Sequence, residues 1–562
     1  MATIDGSPQP TCSALLMSTS TPNPTDQAVA GRGKPPAPAW SLGAFREVWA
    51  IAFPTVLTMT SYTVMQFVDK LMVGQVGPVE VAAQGNGGVW SFGVIAFAMG
   101  AATVINTYVA QNLGAGTPER GPRYAWAGVW MSLVFWVLAL VPYALVLPLL
   151  FARMGHAPEL QALESIYAQI MLLGALPLLF NKVFSHFFFG LHRPLVITCA
   201  AVVGNLVNVA LNYALIFGAE GIPTLGLPGV PGAPALGVAG AAIATVVGTA
   251  VELLIPLCVF LGPRLDRTLG TRAAWRPRWE PVRQILAIGW PGSVQLGNEI
   301  ICWAIFMSVL VGTFGSDHMT AGWATLSYMH LSFMPAVGFS VAVSALVGRH
   351  IGAGQPEVAI ARARLGLAMG VAYCSLCGLL FVVFRHQLIA AFVGGSDLEP
   401  GQAARIVTIG GQLLVCAAIF QAFDALGIVY MGALRGAGDT VWPGIVTVVL
   451  SWVMIVGGGW LLVRLAPGLQ SLGPWIAAAA YIIVLGVAMA VRFERGRWRS
   501  IRLLEEAAEG SPGQGPDFPI GPMAHGGGMG EVEDIAADRA MIEAGVGTGA
   551  DAGSVERSRH PG

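Results

Sequence analysis

Charged residues are scarce in this chain. Only 11% of its 562 residues are Asp, Glu, Lys or Arg, whereas 55% are hydrophobic, and the mean hydropathy is +0.67. Because a soluble protein carries about 25% charged residues, this composition excludes a soluble globular chain and indicates a polytopic membrane protein. The formal net charge is −1. Since binding to phosphate groups needs a basic face, we expect no nucleic acid partner.

Motifs of nucleotide, metal and acid–base chemistry are also missing. No GxxxxGK[ST] string and no HExxH string occurs, which argues against transport driven by nucleotide hydrolysis and against an integral membrane enzyme. Cys374 and Cys377 form a CxxC, but it has no partner pair or nearby histidine, so it predicts packing rather than metal binding. We therefore expect a protein that is not an enzyme and needs no cofactor.

Long apolar runs are abundant. Twelve runs can cross a hydrocarbon core of about 30 Å. They start near residues 47, 84, 124, 160, 195, 236, 283, 319, 358, 402, 441 and 474. Residues 1–45 are rich in Pro, Ser and Thr and lack a secretory signal, and residues 504–562 are acidic and rich in glycine. Both ends are predicted to be disordered tails.

Arginines are divided unevenly between the two sides of these runs. They concentrate in the breaks after runs 2, 4, 6, 8 and 10 and after the last run, and the opposite breaks hold few. Loops that stay in the cytoplasm are enriched in Lys and Arg. The pattern therefore predicts a multi-pass protein of the cytoplasmic (inner) membrane with both termini in the cytoplasm.

A repeat divides the chain into two halves. LGAGTPE at residues 113–119 returns as IGAGQPE at residues 351–357, and AIAFP ending at Pro54 returns as AIGWP ending at Pro291. Six spans per half leave both halves in the same orientation, which predicts an axis along the membrane normal with substrate bound between the halves. We expect an all-α integral membrane fold of twelve transmembrane helices in two six-helix lobes related by a pseudo-two-fold axis. The lobes are residues 46–262 and 283–503, joined by a basic cytoplasmic linker, residues 263–282.

Two acids in the second half are the main candidate site residues. An intramembrane charge costs about 2.5 to 3.5 kcal/mol, so Glu299 and Asp424 are candidates for binding a cation or a proton. The residues on their helical faces are Gln295, Trp303 and Phe306 beside Glu299, and Gln421 beside Asp424. Aromatic rings attract positive charge, so these faces favour amphipathic cations. Packed rings around a neutral carboxyl are the alternative.

The first half offers a weaker set. Asp69 shares a helical face with Tyr62, but Lys70 follows it directly, so a simple boundary pair of Asp69 and Lys70 is an alternative to a cation or proton site. Asn208 and Asn212 lie one helical turn apart. These amides either join two helices or position groups near Asp69.

Lys182 invites a comparison between the halves. It lies eight residues before Gly190, and Asp424 lies eight residues before Gly432. This spacing predicts opposite charges at matching positions of the two halves. Glu252 and His186 show no comparable polar neighbours in sequence and are predicted to be structural.

Several stretches resemble the multidrug and toxic compound extrusion (MATE) transporters, in particular their NorM-like branch. They are FVDKLMVGQVG (residues 67–77), NVALNYALIFG (208–218), FMPAVGFSVAVSALVGRHIGAG (333–354) and GALRGAGDTVWP (432–443). The similarity covers about residues 46–500 and omits both tails. It implies a two-lobed antiporter that expels organic cations and other amphipathic compounds in exchange for Na⁺ or H⁺.

The resemblance also implies roles for particular residues. Asp69, Glu299 and Asp424 match acids of the family's first, seventh and tenth helices, with Na⁺ at Glu299 and Asp424 if sodium is the coupling ion. Asn208 and Asn212 match its fifth-helix polar pair. The chain departs from many relatives at Lys70 and at Trp323, which replaces a glutamine and joins Tyr62, Trp303 and Phe306 as an expected aromatic of the substrate cavity.

Other functions remain open on the sequence alone. They are a flippase for lipid-linked oligosaccharides or other lipids within the wider superfamily, and an exporter dedicated to one metabolite. A flippase of this kind would need a more cationic cavity, and the acids Glu299 and Asp424 argue against it. We expect small amphipathic cations and the lipid bilayer as partners, and a protein that functions as a monomer.

Overall fold

The computed structural model describes residues 41–154, 156–222, 227–393 and 401–504, and it is almost entirely helical there. Eleven helices are long and apolar enough to cross a membrane, and a twelfth span results if two helices bent by 45° around Gly174 are counted together. The twelve predicted spans and the all-α fold are therefore confirmed.

The spans are numbered α1 to α12 in chain order. They are α1 Leu42–Gly74, α2 Val79–Gly114, α3 Pro118–Arg153, α4 Pro158–Leu173 with Ala175–Gly190, α5 Pro194–Phe217, α6 Gly237–Leu261, α7 Trp279–Phe314, α8 Ser316–Gly352, α9 Pro356–Val383, α10 Gln402–Gly436, α11 Val441–Leu465 and α12 Leu472–Glu494. Prolines open several of them, where the missing N–H costs nothing and the fixed φ suits a first turn.

The matching helices α1 and α7 differ by one π-helical segment. Pro54 and Pro291 are 237 positions apart, whereas Gly77 and Gly315, which follow the same two helices, are 238 apart. Between these points α7 contains a π-helical segment, Phe306–Val311, and α1 is α-helical throughout. One π-turn adds one residue, which accounts for the change of offset and for a different helical face beyond Phe306.

The ends of α4 and α10 correct one prediction. After Gly190 and after Gly436, the next three N–H groups bond to carbonyls four, three and five residues earlier, in the same order. Gly190 therefore matches Gly436, and Lys182 matches Ile428. The predicted match of Lys182 with Asp424 is wrong, because the sequence alignment placed the common glycine one turn too early.

At the arginine-rich side, the first helix of each lobe packs into the core of the other lobe. Ala44, Val48 and Ala52 of α1 pack into a core formed by the second lobe's α8, α9, α10 and α12. In the matching position of the other lobe, Ile285 of α7 packs into the core of the first lobe, and the neighbouring Gln284 accepts a hydrogen bond from the Tyr124 hydroxyl. Burying apolar side chains of each lobe in the other stabilises a closed arrangement at this side.

Two glycines allow α2 and α8 to cross in contact. A Cβ atom on Gly114 would lie 1.8 Å from the Arg349 carbonyl oxygen, and one on Gly352 would lie 2.0 Å from that of Gln111. Both glycines belong to the repeated motif, and Gln111 and Arg349 occupy matching positions 238 apart. These reciprocal contacts show the pseudo-two-fold relation between the lobes.

A series of hydrogen bonds joins the two lobes on this same side. The side chains of Thr55, Asn106, Thr107 and Gln111 donate to second-lobe carbonyls at 2.8 to 3.3 Å. These bonds close the structure at its arginine-rich end.

Candidate functional site

Glu299 on α7 and Asp424 on α10 lie in the second lobe within electrostatic range of each other. Both side chains are half-buried. In the described part of the chain neither carboxylate accepts a hydrogen bond or forms an ion pair, although buried polar groups normally have partners. Two helices thus present carboxylates whose lone pairs are free for a ligand.

Tyr481 of α12 is a third residue near the two acids. It lies within electrostatic range of both Glu299 and Asp424. No sequence feature of α12 marked it, because a tyrosine within an apolar run is most often a packing residue. It brings a third helix of the second lobe to the two acids.

Asn298 is a further polar residue that the sequence prediction missed. Its amide donates to Ser451 Oγ at 2.8 Å and accepts from Trp452 Nε1 at 2.8 Å. These bonds fasten α7 to α11 one residue before Glu299. They hold the backbone of Glu299 in place, so its carboxylate is positioned without a direct bond.

The two predicted glutamines bind elsewhere. Gln295 Nε2 lies 3.0 Å from Met431 Sδ, and Gln421 Nε2 donates to Ser332 Oγ at 2.8 Å. Gln421 is buried. Neither amide bonds to Glu299 or Asp424 in the structure.

The predicted cavity aromatics separate into different environments. Phe306 is fully buried with its ring 5.5 Å from that of Trp475, so its assignment to the substrate cavity is wrong. The π-helical segment begins at Phe306, where the helical face extrapolated from Glu299 no longer applies. Trp303 is half-buried and packs edge-on against Phe306, and Trp323 is exposed.

Asp69 is buried in the first lobe and accepts a hydrogen bond from Asn212 Nδ2. Asn212 also donates to Asn208 Oδ1 at 3.2 Å, and Asn208 donates to Thr245 Oγ1 of α6 at 3.4 Å. The asparagines therefore both position Asp69 and join helices. Asp69 and Lys70 form no ion pair within 4.0 Å, so the predicted alternative of a boundary pair is not seen.

Tyr62 and Glu252 form a second polar group in the first lobe. The Tyr62 hydroxyl donates to Glu252 Oε1, and the Lys182 ammonium lies 4.4 Å from the centroid of the Tyr62 ring. Glu252 is buried. The prediction that Glu252 lacks polar company is wrong, because its partner comes from α1, which is distant in sequence.

Charged groups also close the arginine-rich side. Glu47 of α1 accepts from Arg362 Nε of α9 at 2.6 Å and contacts His350 Nε2 of α8 at 3.2 Å. His192, in the turn after α4, contacts the Ala345 carbonyl at 3.2 Å and Arg349 at 3.4 Å. Burial, with the Arg349 guanidinium beside it, lowers the pKa of His192 to about 3, so the imidazole is neutral. Its Nε2–H donates to the carbonyl and its Nδ1 accepts from Arg349.

No group of three or more His, Cys, Asp or Glu side chains able to hold a metal ion occurs among residues 41–154, 156–222, 227–393 and 401–504. Glu299 and Asp424 would supply two carboxylates to a cation and leave the rest of its coordination shell to other ligands. Such an open arrangement suits an ion that enters and leaves.

The sequence of this chain matches a family model and the sequences of known proteins. The MatE family model matches residues 54–214 and 300–460, two segments 246 positions apart like Gly190 and Gly436. The probable multidrug resistance protein NorM of Pseudomonas syringae pv. tomato is 30% identical over 492 residues, covering 83% of this chain and 98% of that protein. The multidrug resistance protein NorM of Burkholderia vietnamiensis is 30% identical over 448 residues, covering 79% and 92%.

Solved structures agree on the fold. An outward-facing multidrug resistance MATE family transporter of the MOP superfamily superposes with a TM-score of 0.72 at 22% identity, covering 82% of this chain and 97% of that one. A MOP superfamily transporter from Pyrococcus furiosus has the same TM-score and identity. The family model alone matches more than half of the chain. This chain belongs to the MatE family of membrane transporters.

Proposed function

We propose that the protein is a multidrug efflux transporter that exports cationic amphipathic compounds by antiport with Na⁺ or H⁺. The observation that carries this proposal is the pair of half-buried carboxylates, Glu299 and Asp424, which have no protein partner in the described residues. Two such acids favour positive charge, whether of a substrate, Na⁺ or protons. The names of the NorM relatives, which refer to multidrug resistance, support the substrate class.

The mechanism is competition for these carboxylates. An ion that neutralises Glu299 and Asp424 weakens their attraction for a cationic substrate and releases it. With the ion bound and the substrate gone, the lobes then change which end is closed, and a new substrate displaces the ion at the other side. Coupling requires that ion and substrate bind the two states with different affinities.

The closed end supports the alternating part of the mechanism. The interlobe bonds and the crossing of Gly114 and Gly352 lie at the arginine-rich side, which we assign to the cytoplasm on the positive-inside rule. On this assignment the protein lies in the inner membrane with both termini in the cytoplasm, and the structure represents an outward-facing state. Asp69, held by Asn212, is a secondary candidate for proton binding.

Efflux from proteoliposomes tests the proposal. The purified full chain is reconstituted, loaded with tetraphenylphosphonium, and subjected to either an Na⁺ gradient or a pH gradient. We expect efflux driven by at least one gradient, and its loss in Glu299→Gln and Asp424→Asn. Glu159→Gln, which removes an exposed acid, is the matched control and should leave efflux unchanged. Unchanged efflux in both cavity variants contradicts the proposal.

A further inference from the structure

Lys182 is the most unusual charge in the first lobe. It is one of only three lysines in the chain, with Lys34 and Lys70, and it lies inside α4 rather than at an end. An ammonium group at this depth is costly and persists where it has a partner or a role. Its side chain is half-buried, so it is not sealed within the core.

Lys182 has no acidic partner. Between described residues, no carboxylate oxygen lies within 4.0 Å of its nitrogen. Its ammonium lies over the Tyr62 ring, 4.4 Å from the ring centroid. Glu252 lies within electrostatic range of Lys182, but its carboxylate accepts a hydrogen bond from the Tyr62 hydroxyl. The three N–H donors of Lys182 therefore have no acceptor within the described chain.

Two residues close to Lys182 along α4 have unpaired polar atoms. Asn181, which is 1% exposed, lies beside the Tyr62 hydroxyl, and neither of its amide atoms makes a hydrogen bond of ordinary geometry. The Ser185 hydroxyl, one turn further along α4 and 3% exposed, is also unpaired. Most buried side-chain polar atoms have a partner, so this group of donors is incomplete without a ligand.

The position of the group connects it to the space between the lobes. His186, one turn after Lys182, lies within electrostatic range of both Lys182 and Arg435 of α10. The Arg435 carbonyl accepts a bond from Thr107 of the first lobe, so Arg435 is at the lobe interface. His186, near both residues, therefore places Lys182 in the part of the first lobe that faces the interface, whereas the free acids are in the second lobe.

We propose that Lys182 and Asn181 form an anion subsite that binds the carboxylate of zwitterionic substrates. The cationic end of the same molecule is held by Glu299 and Asp424, so this inference rests on the proposed efflux function. A carboxylate accepts from the Lys182 ammonium and the Asn181 amide, and charge-assisted bonds of this kind are the stronger ones. Substrates that carry both charges are therefore bound more tightly than the same cation without a carboxylate.

A matched pair of dyes tests the subsite. Tetramethylrhodamine carries a cationic ring system and a free carboxylate, and in its methyl ester only the carboxylate charge is removed. Binding of each to the purified full chain is measured by fluorescence polarisation. We expect Lys182→Met to weaken binding of the acid about tenfold and to leave that of the ester within about twofold. Lys182→Arg should restore most of the affinity for the acid.

Lys70→Met is the control for general electrostatics, since it also removes a first-lobe lysine but one that is exposed. It should change the affinities for the acid and for the ester to the same extent. A wild-type measurement avoids dependence on folding of the variants: an excess of benzoate should displace the acid and not the ester. Equal effects of Lys182→Met on both dyes, or no selective effect of benzoate, would overturn the subsite.

Failure of the subsite and failure of the proposed function give different results. If wild-type proteoliposomes transport neither tetraphenylphosphonium nor the ester under either gradient, the efflux function fails. If they transport the ester but the Lys182 variants and benzoate do not distinguish the dyes, only the subsite fails.

Discussion

Replacing Gly352 by alanine should open the arginine-rich end of the molecule. The new Cβ would lie 2.0 Å from the Gln111 carbonyl oxygen, whereas ordinary contact begins at 3.4 Å. Both groups are tied to helix backbone, so no side-chain rotation relieves the overlap. The crossing helices must separate by about 1.4 Å at this point.

The neighbouring interlobe hydrogen bonds give the magnitude. Gln111 Nε2 to the Gly436 carbonyl is 3.0 Å and Thr107 Oγ1 to the Arg435 carbonyl is 2.8 Å, so a separation of this size breaks both. At about 0.5 to 1.5 kcal/mol each, their loss disfavours the closed end by about 1 to 3 kcal/mol. That corresponds to a population shift of roughly 5- to 150-fold.

Distance measurement by electron paramagnetic resonance checks this expectation. Spin labels at the exposed positions 119 and 357, which match across the repeat, report the separation of the lobes at this end. Gly352→Ala should move the distribution to longer distances. Gly93→Ala is the control, because its Cβ would meet nothing within 4 Å. A Gly352→Ala distribution that superposes on that of the wild type would refute the reasoning.

Three further outcomes follow from the structure. Phe306→Ala should lower the free energy of unfolding by about 3 to 5 kcal/mol without changing tetraphenylphosphonium affinity, because the ring is fully buried; a selective loss of affinity would return Phe306 to the cavity wall. In the closed contact the pKa of His192 is lowered from 6.5 to about 3. Separated lobes therefore bind the proton more readily, and the contact should weaken as the pH falls below about 6.5. His192→Asn should reduce the pH dependence of the spin-label distances, and an unchanged dependence contradicts this role. Glu47→Gln should lower the free energy of unfolding by about 1 to 3 kcal/mol, because it leaves the buried Arg362 without its anionic partner. A free energy of unfolding equal to that of Glu159→Gln would contradict a contribution of this ion pair to stability.

Much of the fold could be predicted from the sequence, because span length and hydropathy are properties of each segment alone. The twelve predicted spans begin within a few residues of the observed helices, and the repeated glycine motif identified the ends of α2 and α8 as matching parts of the two halves. These features depend on local composition and on repetition, both of which are visible in one chain.

The side-chain environments depend on contacts between distant segments, and there the sequence prediction was incomplete. Phe306 was placed on the face of Glu299, but a π-turn beginning at Phe306 and the ring of Trp475 bury it. Glu252 has no polar partner nearby in sequence, because Tyr62 is 190 positions away. No periodicity of one helix reveals which other helix it meets.

The register between the halves shows a related limit. Lys182 was matched to Asp424 through a nearby glycine, whereas the hydrogen bonds after Gly190 and Gly436 place it opposite Ile428. Both alignments are plausible in sequence, since each pairs a glycine with a glycine. Only backbone geometry distinguishes them.

The central claim is that Glu299 and Asp424 bind the coupling ion in competition with the substrate. Calorimetric titration of tetraphenylphosphonium into the purified protein, at several Na⁺ concentrations and pH values, tests it most directly. The account predicts that affinity falls as Na⁺ or H⁺ rises, and that this dependence disappears when Glu299→Gln and Asp424→Asn are combined. Wild-type affinity that is independent of both ions, or a dependence that survives in the double variant, would contradict the claim.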